Sequence, residues 1–123
     1  VTDIRLLLLG RHFRLPGGGW IILGRDQGEN DAIEKLVGED DILFDMEDWP
    51  GPTAVLRRGG SCYPEDEARR AALHNAGALL LRYGRPMPQD FAVPPVTWRH
   101  GNRSGAFVPS GVAEEVLRGW ALL

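Results

Sequence analysis

Short runs of consecutive apolar residues predict the strands of this chain. Residues 4–9, apolar except for Arg5, are typical of a strand covered on both faces, and residues 10–15 are expected to continue it or to turn. Three glycines at positions 17–19 predict a loop, which makes Trp20–Leu23 the second strand of a hairpin. Further extended segments are predicted at residues 41–44, 53–57, 91–98 (an edge strand, because of its paired prolines) and 106–108.

Apolar residues at helical spacing predict three helices. Asn30 is expected to be the N-cap of a short helix, because the residues after it have capping-box spacing, and Gly38 is expected to end it. Pro64 begins a longer helix that runs to Gly84 and presents one apolar face to the sheet. A terminal helix is predicted at residues 112–120. The mixture favours the α+β class: a mixed or antiparallel sheet, a long covering helix and one or two short helices.

Length and composition limit the kind of protein. The chain has 123 residues, 43% hydrophobic and 25% charged, which suits one compact domain over residues 1–123. No segment has the roughly 20 apolar residues of a membrane-spanning helix. A single cysteine, Cys62, excludes an internal disulfide and favours a reducing, cytoplasmic setting. Because the first residue is Val1, we expect a domain excised from a longer protein.

The net charge of −3 hides a separation of acids and bases. Residues 26–48 contain ten acids and one base, Lys35, whereas every base outside that segment is an arginine. Arginine's planar fork matches phosphate and stacks on bases better than lysine does, although a GC-rich genome would also favour arginine. Phosphate binding therefore requires that arginines from separate loops gather on one side, away from the acidic segment.

The sequence motifs give little support for a nucleotide-binding or metal-binding site. The glycine run precedes a strand and lacks the Lys-Ser/Thr ending of a P-loop. Gly24 and Arg25 do follow a strand and open a helix, either as a plain turn or with Arg25 contacting a phosphate. Cys62 has no nearby base, and His74 is expected at the surface. The acidic segment lacks EF-hand spacing, so no catalytic or metal-ligating residue is predicted.

Two clusters interleave arginines with aromatic residues. Residues 11–14 read Arg-His-Phe-Arg, and residues 98–103 read Trp-Arg-His-Gly-Asn-Arg. Such mixtures supply phosphate contacts and stacking platforms for RNA, although solvated arginine-rich loops are also common. Arg57 and Arg58 add a third basic point after the fourth predicted strand.

The order of motifs resembles a known family. "GRHFRLPGG", "ILGRDQGEND", "DILFDMEDWPGPTAVLRR" and a helix ending "LLLRYG" follow one another between residues 10 and 84. This order resembles the NFACT RNA-binding domain, in the branch that follows PP-loop ATPases related to tRNA thiouridylases and sulfurtransferases. The family's Gly-Arg/Lys turn corresponds to Gly24 and Arg25, and its helix asparagine to Asn30. Leu43 and Asp45 stand where the wider family has tryptophan and histidine, and Pro52-Thr53 stands in place of Ser-His.

The resemblance implies an RNA-binding accessory domain, itself non-catalytic, at the C-terminal end of a PP-loop protein that modifies tRNA. ATP and Mg²⁺ are then expected only in the PP-loop domain, no cofactor is expected in this one, and the longer protein is expected to be a tRNA sulfurtransferase or ATP-pyrophosphatase. The partners implied are tRNA or another structured RNA, and the PP-loop domain. The predicted RNA-binding residues are Arg11, His12, Arg14, Arg25, Asn30, Arg57, Arg58, Arg99, His100 and Arg103.

Two other functions stay open at this point. A protein-interaction module would use the acidic segment and the tryptophans Trp49 and Trp120 to pack on the PP-loop domain or to dimerise. An independent enzyme would use Cys62 with a histidine.

Overall fold

The fold is a six-stranded antiparallel sheet with helices on both faces. The structure, a computed structural model, describes residues 2–122. Each neighbouring pair of strands is antiparallel, in the order β1-β2-β4-β3-β5-β6. The elements are α1 (Thr2–Leu7), β1 (Arg11–Arg14), β2 (Trp20–Leu23), α2 (Gln27–Leu36), β3 (Ile42–Met46), β4 (Ala54–Leu56), α3 (Gly59–Cys62), α4 (Asp66–Tyr83), β5 (Val96–His100), β6 (Arg103–Phe107) and α5 (Glu114–Trp120).

The two faces of the sheet bury different helices, because successive side chains of a strand point to opposite faces. On one face Phe44 and Leu56 pack with Leu79 and Leu80 of α4 in the larger core. On the other face a smaller cluster comprises Leu6, Ile22, Ile33, Leu43 and Val55, which joins α1 and α2 to the central strands. The predicted α+β class, with an antiparallel sheet under a long helix, is confirmed. No helix of residues 2–122 is long and apolar enough to cross a membrane.

The glycine run forms the tight loop of the β1–β2 hairpin. Gly17 and Gly18 have φ angles of 90° and 100°, which side chains other than glycine rarely adopt. A Cβ on Gly17 or Gly19 would lie 2.7 or 2.6 Å from the ring of Tyr63. The Tyr63 hydroxyl donates to the Pro16 carbonyl at 2.7 Å and accepts from the Gly19 amide at 2.9 Å. The glycines therefore make room for a tyrosine that ties the hairpin to the segment before α4.

The prediction of a strand at residues 4–9 is wrong, because this segment holds helix α1. Within it Leu6 is fully buried, whereas Leu7 and Leu8 are exposed. A six-residue apolar run fits a strand or a helix equally well, and here one buried position is enough to dock it. An ion pair holds the helix to the sheet, since Arg57 donates to Asp3 Oδ1 through Nε and Nη2 at 3.0 and 2.7 Å.

The prediction that Asn30 caps the first main helix is also wrong. Asp26 is the N-cap of α2, and its Oδ1 accepts the Glu29 amide at 2.8 Å. Asn30 lies one turn further on with its side chain buried. The helix ends at Leu36, before the predicted Gly38. Asp26 and Asn30 both suit a cap, and only the contacts beneath the helix decide between them.

Most other boundaries differ little from the prediction. Helix α4 covers residues 66–83, and the β1–β2 hairpin forms as expected. The prediction of an edge strand at residues 91–98 is wrong: β5 begins at Val96, after both prolines, and lies between β3 and β6. It extends to His100, because the turn at Gly101, with φ of 60°, joins β5 to β6. The short helix α3 was not predicted, since a Gly-Gly-Ser-Cys segment has low helix propensity. After α5 the chain returns to the sheet, where the Leu122 amide donates to the His12 carbonyl at 2.9 Å.

Candidate nucleic-acid interface

The sequence interpretation required the arginines to gather on one side of the fold, and the structure shows that they do not. The two arginine–aromatic clusters lie on strands β1 and β5, four positions apart in the sheet and so about 19 Å apart at 4.8 Å per strand. Arg57 and Arg58 lie near the start of α1. The basic residues therefore form three separate regions, each with its own surroundings.

The first region surrounds the ring of Tyr83, at the C-terminal end of α4. The guanidinium carbons of Arg11 and Arg82 lie 4.9 and 5.0 Å from the ring centroid. Arg25 lines a cavity of about 210 Å³ together with Arg11 and Tyr83. Arg85 follows α4 and lines a second, neighbouring cavity, which is also lined by Tyr83 and Arg25. We call this set, Arg11, Arg25, Arg82 and Arg85 around Tyr83, the Tyr83 surface.

Ion pairs engage half of the Tyr83 surface. Arg25 donates to Glu29 through Nε and Nη2, at 2.9 and 2.7 Å. The Arg25 guanidinium, with the Gly10 and Arg25 amides, lowers the pKa of Glu29 to about 2. Arg82 pairs with Glu114 of α5. Arg11 and Arg85 form no ion pair with the described residues, so their charges are available to a ligand.

The second cavity of this region, about 520 Å³, lies where the family motifs meet; we call it the motif cavity. Asn30 Oδ1 accepts the Thr53 amide at 3.0 Å, and the Gly24 amide donates to the Thr53 carbonyl at 2.9 Å. A Cβ on Gly24 would lie 2.1 Å from Asn30 Oδ1. Glycine at 24 and asparagine at 30 are thus required together, to join α2 to the start of β4.

Asp45 supplies a carboxylate to the motif cavity. Its Oδ1 accepts the Thr53 hydroxyl at 2.6 Å, and no hydrogen bond to its Oδ2 comes from residues 2–122. Burial raises the pKa of Asp45, and the neighbouring Glu34 carboxylate acts in the same direction. The cavity therefore combines a partly buried acceptor with the arginines at its edge.

The aromatic wall of the motif cavity is fixed by hydrogen bonds. Trp49 Nε1 donates to the Arg85 carbonyl at 2.8 Å, and the Arg85 amide donates to the Pro50 carbonyl at 2.9 Å. The Trp49 ring also packs against Phe91, with centroids 4.8 Å apart. A Cβ on Gly51 would lie 2.6 Å from Met46 Sδ, so the Pro-Gly turn passes close over the core. These contacts place an indole and an arginine on one rim.

The second basic region lies at the other end of α4. Its cavity of about 300 Å³ is lined by Arg69, Arg70, Trp98, His100 and Arg103, with Ile42, Leu73 and Asp66. His100 Nε2 lies 3.3 Å from Asp40 Oδ1, and Arg69 donates to the Tyr63 and Gly60 carbonyls. Arg70 and Tyr83 are thirteen residues apart, so the first two regions are about 20 Å apart along the helix.

In the third basic region only Arg57 is closely paired with carboxylates of residues 2–122. Arg57 is half-buried between Asp3 and Asp41 and joins α1 to the sheet. Arg14 donates to the Gly18 carbonyl at 3.0 Å, and Arg58 is 71% exposed beside Asp3. Arg14 and Arg58 line one cavity with Cys62, whose Sγ lies 3.8 Å from the Gly17 carbonyl.

Two further predicted residues have other surroundings. His12 accepts a hydrogen bond from Trp20 Nε1 at 3.0 Å through Nδ1 and stacks on the Trp20 ring, so it acts within the fold. Arg99 points to the opposite face of β5 from His100, and it is exposed. Among the described residues, no group of three or more His, Cys, Asp and Glu side chains is arranged to hold a metal ion.

A family model for the NFACT protein RNA binding domain matches residues 10–120. The chain belongs to this family. A solved structure, the C-terminal part of the fibronectin/fibrinogen-binding protein from Streptococcus suis, has the same fold, with a TM-score of 0.70 at 14% identity. The similarity covers 93% of this chain and 49% of that one, so the chain spans about half the length of its structural relative. No curated protein matches the chain.

Membership in the NFACT RNA-binding family confirms the resemblance at the level of the family, and the branch that follows PP-loop ATPases stays a prediction. The chain is thus a member of a class of RNA-binding domains. The motif residues Gly24, Arg25 and Asn30 meet at one cavity with the Pro50-Gly51 turn, which sequence order alone did not indicate. Tyr83, Arg82 and Arg85 were not predicted for the interface. The "RYGR" segment contains them, and it was interpreted only as a helix end.

Proposed function

We propose that this domain is a non-catalytic accessory module that binds structured RNA, in particular tRNA, through the Tyr83 surface. The observation that carries the proposal is the position of Arg11 and Arg82 against one tyrosine ring, beside Arg25 and Arg85. Four arginines from β1, the α2 start and the end of α4 converge there. Arginine forks bind phosphate oxygens in pairs, and the tyrosine ring holds two of these guanidiniums in place through cation–π contacts.

Ion pairs position two arginines of this surface and leave the other two unpaired among the described residues. Glu29 and Glu114 hold Arg25 and Arg82 in fixed positions, whereas Arg11 lies over the Tyr83 ring and Arg85 lines the neighbouring cavity, both without an ion-pair partner among residues 2–122. A guanidinium has five N–H donors, so a carboxylate that takes two of them leaves others for a phosphate. The surface is therefore preorganised, which lowers the entropic cost of binding.

The motif order supports a more specific setting. The Pro-Gly-Pro-Thr form at residues 50–53 resembles the branch that follows PP-loop ATPases. In that setting the domain holds tRNA in the cytoplasm while a PP-loop domain of the same chain, with ATP and Mg²⁺, carries out a thiolation-like reaction. The chemistry would lie in the PP-loop domain, as the likeness of these motifs implies.

Titration with bulk tRNA at several salt concentrations tests RNA binding. Because phosphate contacts release counterions, log Kobs should fall linearly with log salt, by about 0.7–0.9 for each phosphate neutralised. Two free arginines predict a slope of about −1.4 to −1.8, or steeper if Arg25 and Arg82 also contribute. Absence of binding at low salt, or binding with no salt dependence, would contradict the proposal.

Helix α1 favours a second candidate, an interaction module that packs on a PP-loop domain or dimerises. Ile4 and Leu7 of α1, and Leu8 directly after it, are 66%, 62% and 78% exposed. Adjacent exposed apolar side chains mark protein interfaces more often than free surface. Sedimentation of the wild type and of Leu8→Glu distinguishes the candidates, because a dimer formed through α1 would dissociate in the variant while RNA binding would be unchanged.

A further inference from the structure

We propose that the motif cavity binds a single unstacked guanine base. The inference rests on RNA binding by the adjoining Tyr83 surface and names what its neighbouring cavity recognises. The cavity volume of about 520 Å³ suits a nucleotide-sized ligand. Its wall carries both an indole, Trp49, and a phenol, Tyr83. RNA-binding proteins commonly take up splayed-out bases between such aromatic groups.

Hydrogen-bond acceptors in the cavity select the base. Thr53 fixes the Asp45 carboxylate through Oδ1, and Oδ2 accepts no hydrogen bond from residues 2–122. Glu34 lies one turn after Asn30 on α2, and it lines the same cavity. Guanine presents two adjacent donors on its Watson–Crick edge, the N1–H and the 2-amino group, which match a carboxylate. Adenine presents an acceptor beside its amino group, so the same carboxylate would repel it.

The cavity is lined by both positive and negative side chains, which suit the phosphate and the base of a nucleotide. Arg25 and Arg85, which belong to the Tyr83 surface, line the cavity together with the carboxylates of Asp45 and Glu34. The third carboxylate, Asp26, is engaged as the N-cap of α2. A base bound at Asp45 would therefore keep its phosphate near the arginines, and the remaining RNA would follow toward Arg11.

Mononucleotides test the cavity apart from the rest of the RNA. GMP, IMP, AMP and CMP are titrated into ¹⁵N-labelled protein and followed by the backbone amides and the tryptophan indole signals. GMP should shift the Gly24 and Thr53 amides and the Trp49 indole. IMP, which lacks the 2-amino group, should bind at least about tenfold more weakly, as expected for one lost hydrogen bond to a charged group.

A conservative variant separates recognition from folding. In Asp45→Asn the amide oxygen can still accept the Thr53 hydroxyl, but the amide nitrogen would face the base as a donor. GMP affinity should fall at least about tenfold while AMP affinity rises, because adenine N1 can accept from the amide. Glu34→Gln, an exposed position that leaves the fold intact, should weaken GMP alone. Glu39→Gln, an exposed carboxylate outside the cavity, serves as the matched control.

The outcomes of the two titrations are distinguishable. Equal shifts by all four nucleotides, shifts away from the motif cavity, or an unchanged GMP affinity in Asp45→Asn would overturn the guanine site. Salt-dependent tRNA binding without GMP binding would overturn the guanine site alone. GMP binding without tRNA binding would support the guanine site and overturn the proposed RNA surface.

Discussion

Asn30 Oδ1 accepts the buried amide of Thr53 at 3.0 Å, across 23 positions of sequence. This bond joins the middle of α2 to the start of β4 and shapes one wall of the motif cavity. The Asn30 side chain is thus occupied within the fold, and any contact it makes with RNA would be in addition to this role. Its predicted RNA contact stays a prediction.

Replacing Asn30 with alanine should destabilise the domain. The Thr53 amide would lose its acceptor in a buried position, which costs about 1–3 kcal/mol of unfolding free energy. Urea denaturation followed by tryptophan fluorescence measures the loss. Asn102→Ala, in the exposed β5–β6 turn, is the control and should change stability little. Equal stability of the two variants would mean that the Asn30–Thr53 bond contributes nothing.

Two glycines at the α2 start should respond in opposite ways to alanine. Gly24→Ala places a Cβ 2.1 Å from Asn30 Oδ1, so the Asn30 side chain must shift away from the Thr53 amide, at a cost of about 2 kcal/mol. Gly28→Ala places it 3.4 Å from Asp26 Oδ1, an ordinary contact within a helix, and should stabilise by about 0.5 kcal/mol. Thermal unfolding of both variants checks the difference. A neutral Gly24→Ala would show that the asparagine can move freely.

Glu29 should make stability depend on pH in the acid range. Its pKa is lowered from 4.5 to about 2 by the Arg25 guanidinium and by amide donors, so the folded state favours the charged form. The stabilisation is therefore present above pH 4.5 and is lost as the pH falls from 4.5 to 2. Because Arg25 is half exposed, we expect about 1 kcal/mol between the wild type and Glu29→Gln at pH 7.

Denaturant curves from pH 7 to pH 2 measure this difference. It should be constant down to about pH 5, fall steeply toward pH 2, and vanish only below pH 2, where Glu29 is protonated in both states. Asp31→Asn, on the exposed side of the same helix, is the control for general charge effects. A difference that persisted unchanged at pH 2 would mean that packing, and not charge, causes it.

The sequence predicted the class of fold and the family, because both depend on local pattern. The apolar strands, the long helix and the Pro-Gly turn are each visible within a few residues. It failed at residues 4–9, where a short apolar run carries no periodicity long enough to distinguish helix from strand.

The candidate site was harder to predict, because it depends on partners that are distant along the chain. The sequence predicted that Arg57 binds RNA, but its guanidinium is paired with Asp3, 54 positions away. Tyr83 and Arg11 meet only because α4 crosses the sheet beside β1. Ion pairs and stacking between distant elements cannot be predicted from neighbouring residues. The number of arginines therefore overestimated how many positive charges are free to bind RNA.

The Tyr83 surface and the second basic region should contribute unequally to tRNA binding. Arg11→Gln with Arg85→Gln removes the unpaired arginines of the Tyr83 surface and should reduce the salt slope by about 1.4–1.8, with weaker binding at every salt concentration. Arg70→Gln with Arg103→Gln removes the same charge from the cavity of the second basic region, about 20 Å away along α4, and should have a smaller effect. Both pairs are exposed, so neither is expected to unfold the domain, and circular dichroism checks this. A larger loss from the second pair would move the RNA interface to the β5–β6 end and contradict the assignment to Tyr83.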